Sequence, residues 1–181
     1  MSQDEPVVAR SEIAVRRLEP TDDRSHFQSG NIDLDRFFQR YAGQNQFRHH
    51  IGTTYIAARG ATILGFATVT AAHLEGSALP EHRRGRLPAY PLPVLRLARL
   101  AVATEAQGQG VGRLLLRAVF TLAHHMARDM GCVGVLVDAK AEATSYYQTL
   151  GFEPLAFSRG ALGDRPEPTP MFLELSAIPQ P

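Results

Sequence analysis

The stretch from Arg99 to Val119, RLAVATEAQGQGVGRLLLRAV, sets three glycines in five residues between an apolar run with strand-like alternation and one with helical spacing. A strand that turns straight into a helix leaves the first helical N–H groups without partners, at the positive end of the helix. Glycines at 108, 110 and 112 suit such a turn for two reasons. A side chain would keep an anion's oxygens from those N–H groups, and tight turns often need positive φ. The segment therefore reads as an anion cradle in an α/β fold, with a plain tight connection as the alternative. Two better-known glycine motifs fail here. A dinucleotide fingerprint starting at Gly108 needs its third glycine where Arg113 stands, and no Lys-Ser/Thr follows as a nucleotide-triphosphate loop requires.

The rest of the chain supplies the partners of that unit. Residues 13–18, IAVRRL, read as a first strand, followed by the turn-rich EPTDD. Ile32, Leu34, Phe37, Phe38 and Tyr41 recur at helical spacing behind Asn31, a natural N-cap. TTYIAAR and ATILGFATVTAA read as a hairpin about Gly60. From about His73 to Pro93 the pattern gives way to a long loop of prolines and arginines, a kind of segment that is often functional. VLRLARLAV restores a strand. Val111, Leu114, Leu115, Ala118, Val119, Leu122, Ala123 and Met126 mark the buried face of a long helix stopped by Gly131. CVGVLVD reads as a strand covered on both faces, residues 141–150 as a short helix ended by Gly151, and FEPLAF with PMFLELS as a final pair of strands across the Gly- and Pro-rich 158–170.

With 181 residues and 44% hydrophobic content, one domain over 1–181 with a core at about 13–175 is the expectation. No apolar run approaches the ~20 residues of a membrane span, and the acidic start MSQDEPVVARSE does not suit a secretory signal, so a cytoplasmic protein without membrane association is expected. The single Cys132 reads as a small buried hydrophobe. Residues 24–104 hold ten arginines against Asp33, Asp35, Glu75 and Glu81. Eighteen of the nineteen basic residues are arginine, which fits either genome composition or bidentate phosphate recognition. The pairs His49-His50 and His124-His125 lack metal-ligand spacing and read as solvated, so no metal is expected.

LARLAVATEAQGQGVGRLLL is similar to the acetyl-coenzyme A signature of the GNAT superfamily of N-acetyltransferases, [Q/R]-x-x-G-x-[G/A], with Gln107, Gly110 and Gly112 in register. AEATSYYQTLGFEPL resembles the family's A-x-x-[F/Y]-Y-x-x-x-G-F block through Ala143, Tyr146, Tyr147, Gly151 and Phe152. The opening FQSGNIDLDRFF resembles that of GNAT toxins from bacterial toxin–antitoxin modules, with Phe27, Ser29, Gly30, Leu34, Asp35 and Phe38 matching.

The resemblance implies a mixed, mostly antiparallel sheet flanked by helices and splayed between the strand ending at Val102 and CVGVLV, with acetyl-CoA in the cleft. It implies that the main chain of Leu100, Ala101 and Val102 pairs with the pantetheine arm. The N–H groups of Gly108, Gln109, Gly110, Val111, Gly112 and Arg113 would hold the pyrophosphate, and Gln107 would brace the turn or lie solvated. A backbone N–H near Val102 can meet the oxyanion, and Tyr147 matches the family's general acid; its other reading is a core aromatic, the role assigned to Tyr146. Asp138 either touches pantetheine or substrate or caps the following helix.

Relatives often place a Glu base on the strand that here carries only arginines at its polar positions, so either water relays the proton or the amine arrives largely neutral, which favours an α-amino acceptor of lower pKa than lysine. The toxin resemblance implies aminoacyl-tRNA as acceptor, held by arginines such as Arg83, Arg84 and Arg86, with a ribbon-helix-helix antitoxin as partner and a homodimer as assembly. The alternatives are an acetyltransferase for a small-molecule or protein amine, and a non-catalytic acetyl-CoA-binding regulator.

Overall fold

A computed structural model describes residues 12–155 and 168–180. Seven strands form one sheet: β1 (Ala14–Arg17), β2 (Thr53–Arg59), β3 (Thr62–Leu74), β4 (Leu92–Val102), β5 (Gly134–Ala139), β6 (Glu153–Pro154) and β7 (Thr169–Glu174). Their order is β1-β2-β3-β4-β5-β7-β6, and every pair is antiparallel except β4 with β5. The crossover between the parallel pair is α2 (Val111–Asp129). The far end of the sequence-predicted FEPLAF strand, Ala156 and Phe157, lies outside the described residues, as do the first eleven residues and most of the Gly- and Pro-rich connection.

The β4–β5 ladder has three rungs, Leu95↔Val135, Arg96↔Leu136 and Leu97↔Val137, and then stops. On its other edge β4 passes from Leu97↔Val69 to Arg99↔Thr68, which leaves Ala98 as an extra residue. Such a bulge bends its strand and raises the local twist. Beyond Leu97 the two strands part, and the splayed sheet expected from the sequence is present.

Helices cover both faces. Gly65 leaves room for α2: a Cβ there would lie 3.1 Å from both Leu115 Cδ1 and Val111 Cγ1. Alternation sends the next residue, Phe66, to the opposite face. There it stacks on Phe38 with ring centroids 4.3 Å apart and meets Phe27 edge-on. Phe38 belongs to the helical segment that begins as α1 (Ile32–Arg36) and continues in wider turns to His49, further than the sequence spacing suggests. Asn31 caps it, its Oδ1 accepting from the amides of Asp33 and Leu34 at 3.1 Å each. Asn31→Ala is expected to lower stability by about 1 kcal/mol, readable as a shift in the chemical-denaturation midpoint at unchanged slope.

The face of α2 is close to the expected one, with two differences. Leu116 is fully buried. His124, read from sequence as solvated, is only 8% exposed, because the chain end folds back and brings the carbonyls of Ile178 and Pro179 to 3.2 Å from its Nε2. Cys132 is buried as expected, with burial pushing its thiol pKa up.

The long arginine-rich loop is also more ordered than its composition suggests. β3 runs to Leu74 and β4 begins at Leu92, so the connection is 75–91. Leu79 and Ala78 in it join Leu74, Leu92, Val94, Leu136, Leu155 and Phe172 in a second small core. Arg83 makes a bidentate contact to Glu153 at 3.0 and 3.1 Å and also reaches Glu174. That guanidinium holds the Glu153 carboxyl below its ordinary range. Arg84 donates from Nε to Leu79 O at 2.8 Å. Of the three arginines assigned to polyanion contact, Arg83 is thus engaged within the fold, whereas Arg84, its side chain tied only through Nε, and Arg86 are exposed and keep their charge for such a contact.

Candidate active site

The turn between β4 and α2 is built as the glycines require. Gly108 and Gly110 have φ of +75° and +81°, where any other residue is strained. Gly112 has an ordinary backbone, and a Cβ on it would enter the space 3.7 Å from Val102 Cγ2 and 3.9 Å from the Tyr146 hydroxyl. Its bareness keeps a pocket open rather than permitting a turn. The amide of Leu114 bonds to Gly110 O at 3.1 Å, so those of Val111, Gly112 and Arg113 have no carbonyl one turn back.

These groups line a pocket of about 570 Å³ together with Leu100, Ala101, Val102, Gln107, Gly108, Gly110 and Tyr146. Nine of the ten residues assigned to the donor from sequence are therefore in one place. Gln109 is outside that lining, its side chain turned back to Glu105 O at 2.8 Å. Gln107 braces the turn: its Nε2 donates to Val102 O at 3.1 Å and to Ser29 O at 3.0 Å. Thr104 adds bonds to Gln28 O from its amide and hydroxyl. The opening motif thus has a structural meaning. Ser29 donates to Asp35 from both amide and hydroxyl, at 2.8 and 2.6 Å, and the segment they fix holds the donor turn.

Where β4 and β5 part lies a second cavity of about 230 Å³, lined by Leu97, Ala98, Arg99 and Leu100 on one side, and by Val137, Asp138, Lys140, Glu142 and Tyr147 on the other. Tyr147 is 6% exposed, and burial, reinforced by Tyr146, pushes its phenol up to about 12. It is a proton donor at any physiological pH. Tyr146, expected in the core, is 38% exposed and lines the glycine pocket instead. Asp138 does not cap the next helix, which has no side-chain cap; it pairs with Arg96 across the strand gap.

A third pocket, about 670 Å³, continues past Leu34, Ala98, Arg99 and Lys140, which it shares with the second. Arg36, Arg96 and Tyr41 line it too. The Arg99 guanidinium carbon lies 3.8 Å from the Phe37 ring centroid, and burial, with Arg96 nearby, lowers the guanidinium pKa. Three of the ten arginines that the sequence concentrates in 24–104, Arg36, Arg96 and Arg99, meet Lys140 here, with Arg36 paired to Asp33 and Arg96 to Asp138, a convergence the sequence reading did not find. The only available signal was that β4 carries arginine at both polar positions. Among the described residues no group of three or more His, Cys, Asp and Glu could hold a metal, and no helix is long and apolar enough to cross a membrane.

The model of the GNAT acetyltransferase domain matches residues 50–154, which take in the glycine turn and both walls of the cleft. The chain belongs to the GNAT acetyltransferase family. This acetyltransferase is 30% identical over 141 residues to a tRNA-acetylating toxin of Mycobacterium tuberculosis (strain ATCC 25618 / H37Rv), a match covering 77% of this chain and 84% of that protein. Its fold is similar to that of AtaT complexed with acetyl-methionyl-tRNAfMet, with TM-score 0.81, 25% identity, and 92% and 97% of the two chains covered. It is also similar to AtaTR bound with AcCoA, with TM-score 0.73, 26% identity, and 92% and 95% covered.

Proposed function

We propose that this protein transfers the acetyl group of acetyl-CoA to the α-amino group of aminoacyl-tRNA, as the cytoplasmic, single-domain toxin of a pair restrained by a ribbon-helix-helix antitoxin. The observation that carries this reading is a row of three pockets whose linings overlap, at Leu34, Ala98, Arg99 and Lys140 on one side and at Leu100 on the other. A glycine-lined amide cradle lies at one end, an arginine-lined pocket at the other, and a cavity with a protonated phenol joins them.

The donor end fits the group it is assigned. Past Leu97 the edge of β4 facing β5 has no strand partner, so the main chain of Leu100, Ala101 and Val102 is open to an amide-containing arm. The free amides of Val111, Gly112 and Arg113 point out of the positive end of a 19-residue helix, suited to a pyrophosphate. When bound, acetyl-CoA supplies an activated acyl carbon and a thiolate leaving group. Tyr147, itself buried, then donates its phenol proton toward the sulfur. At the acceptor end Arg36, Arg99 and Lys140 provide charge for phosphates, and Tyr41, about half exposed, offers a ring on which a base can stack.

The test is acetyl transfer from labelled acetyl-CoA to bulk aminoacylated tRNA. Label is expected on the charged ends, released by alkali along with the amino acid, and absent from uncharged tRNA. Label that appears on polyamines or lysine-bearing peptides but on no tRNA overturns the acceptor assignment.

A further inference from the structure

The arginine-lined pocket raises an electrostatic difficulty for any amine that crosses it. An attacking nitrogen becomes more positive as its bond to the acyl carbon forms, and Arg99 and Lys140 oppose that charge, while the one acid in that lining, Asp33, is exposed and paired with Arg36. β4, where a carboxylate was sought from sequence, offers only arginines. The structure supplies an acid from the other wall. Asp138 stands one residue beyond Val137, the last residue of β5 paired with β4, and lines the cavity that holds Tyr147. Arg96, reaching over from β4, engages Oδ2 of its carboxylate. The other acid in that lining, Glu142, is exposed on the turn after β5 and lacks such an anchor on the strands.

We propose that Asp138 is a catalytic residue on the acceptor side, its carboxylate receiving an N–H of the attacking amine and offsetting the charge that builds on nitrogen. Arg96 is a positioning residue that fixes the carboxylate at the point where the strands part. The proposal deepens the acetyl-transfer reading above and rests on it. The nitrogen lone pair makes the new bond to the acyl carbon, and the carbon–sulfur bond breaks with its electron pair going to sulfur. Sulfur takes the Tyr147 proton. The surplus proton on nitrogen passes to Asp138 and on to water, from which Tyr147 regains one. The groups facing Asp138 are Arg96 and Arg99 from β4, Lys140 and Glu142 from the segment after β5, and Tyr147 from α3 (Thr144–Thr149).

Asp138→Asn keeps the shape and removes the charge. With bulk aminoacylated tRNA as acceptor, kcat is expected to fall about 10²-fold, the scale of losing one preorganised charge partner. KM for acetyl-CoA, calorimetric affinity for coenzyme A and melting temperature are expected to stay near the wild-type values. Asp138→Glu should recover part of the rate, and Arg96→Ala should lower kcat without changing KM for acetyl-CoA. A kcat for Asp138→Asn close to wild type overturns the proposal, as does a loss seen only in KM for acetyl-CoA, or a loss that follows Glu142→Gln instead. If Asp138→Asn folds poorly, a correctly folded Asp138→Glu variant with no recovery of rate overturns it equally. Wild-type protein that binds coenzyme A yet acetylates no amine defeats the functional reading itself, a result visible before any substitution is made.

Discussion

Replacing Tyr147 by phenylalanine is expected to lower the rate of acetyl transfer about 10²- to 10³-fold while leaving the affinity for coenzyme A almost unchanged. The hydroxyl is the only atom lost, so the ring still fills its place against Phe152, with centroids 5.3 Å apart, and against Tyr146 at 5.6 Å. Because the phenol is held near 12, it stays protonated across the working range and produces no alkaline fall in rate below about pH 11. The measurement is a steady-state comparison of kcat for the two proteins from pH 6 to pH 10, with calorimetry for coenzyme A alongside. Equal rates would show that Tyr147 is a packing residue, and a wild-type alkaline limb that vanishes in the variant would show a phenol that titrates within that range.

The second large effect concerns a residue remote from the chemistry. Gly134→Ala is expected to cost about 3 kcal/mol of stability, at the upper end of overpacking penalties, and to lower the melting temperature by roughly 6–12 °C. A Cβ at Gly134 would lie 2.2 Å from Leu173 O and 2.6 Å from two atoms of the Phe172 ring. A carbonyl in a strand ladder cannot give way as a side-chain tip can, so β7 must move bodily. β5 pairs with β7 over six residues, from Gly134↔Glu174 to Ala139↔Thr169, and carries Asp138 to the cleft. The variant should therefore lose activity as well as stability. Thermal unfolding with the rate measured below the transition checks both, and an unchanged melting temperature would refute the close approach.

The glycine turn, the Asn31 cap and the hairpin were legible in the sequence because each is decided by neighbours a few residues apart. Of the ten residues that the family resemblance assigns to the donor, nine line one pocket and Gln109 does not. What escaped depends on distant partners. Arg83 meets acids 70 and 91 residues away, Arg96 meets Asp138 across 42, and His124 is covered by a chain end 54 residues on. Nothing near those residues records such meetings, so the arginines of the basic loop read as free for a polyanion and the histidine pair as solvated. Tyr146 and Tyr147 illustrate a different limit. They lie on a helix of six residues that follows a tighter turn, too short for periodicity to say which ring faces inward.

The strand that forms the second wall of the cleft is late in the chain but central in the sheet. During synthesis β1 to β4 and α2 emerge first, and until Gly134–Ala139 follows they can display an amide cradle with nothing opposite it. Any shortened product that ends before residue 134 thus lacks Asp138 and Tyr147 together, and would be able at most to hold the donor. Both walls of the cleft exist only once the polypeptide has extended past Tyr147.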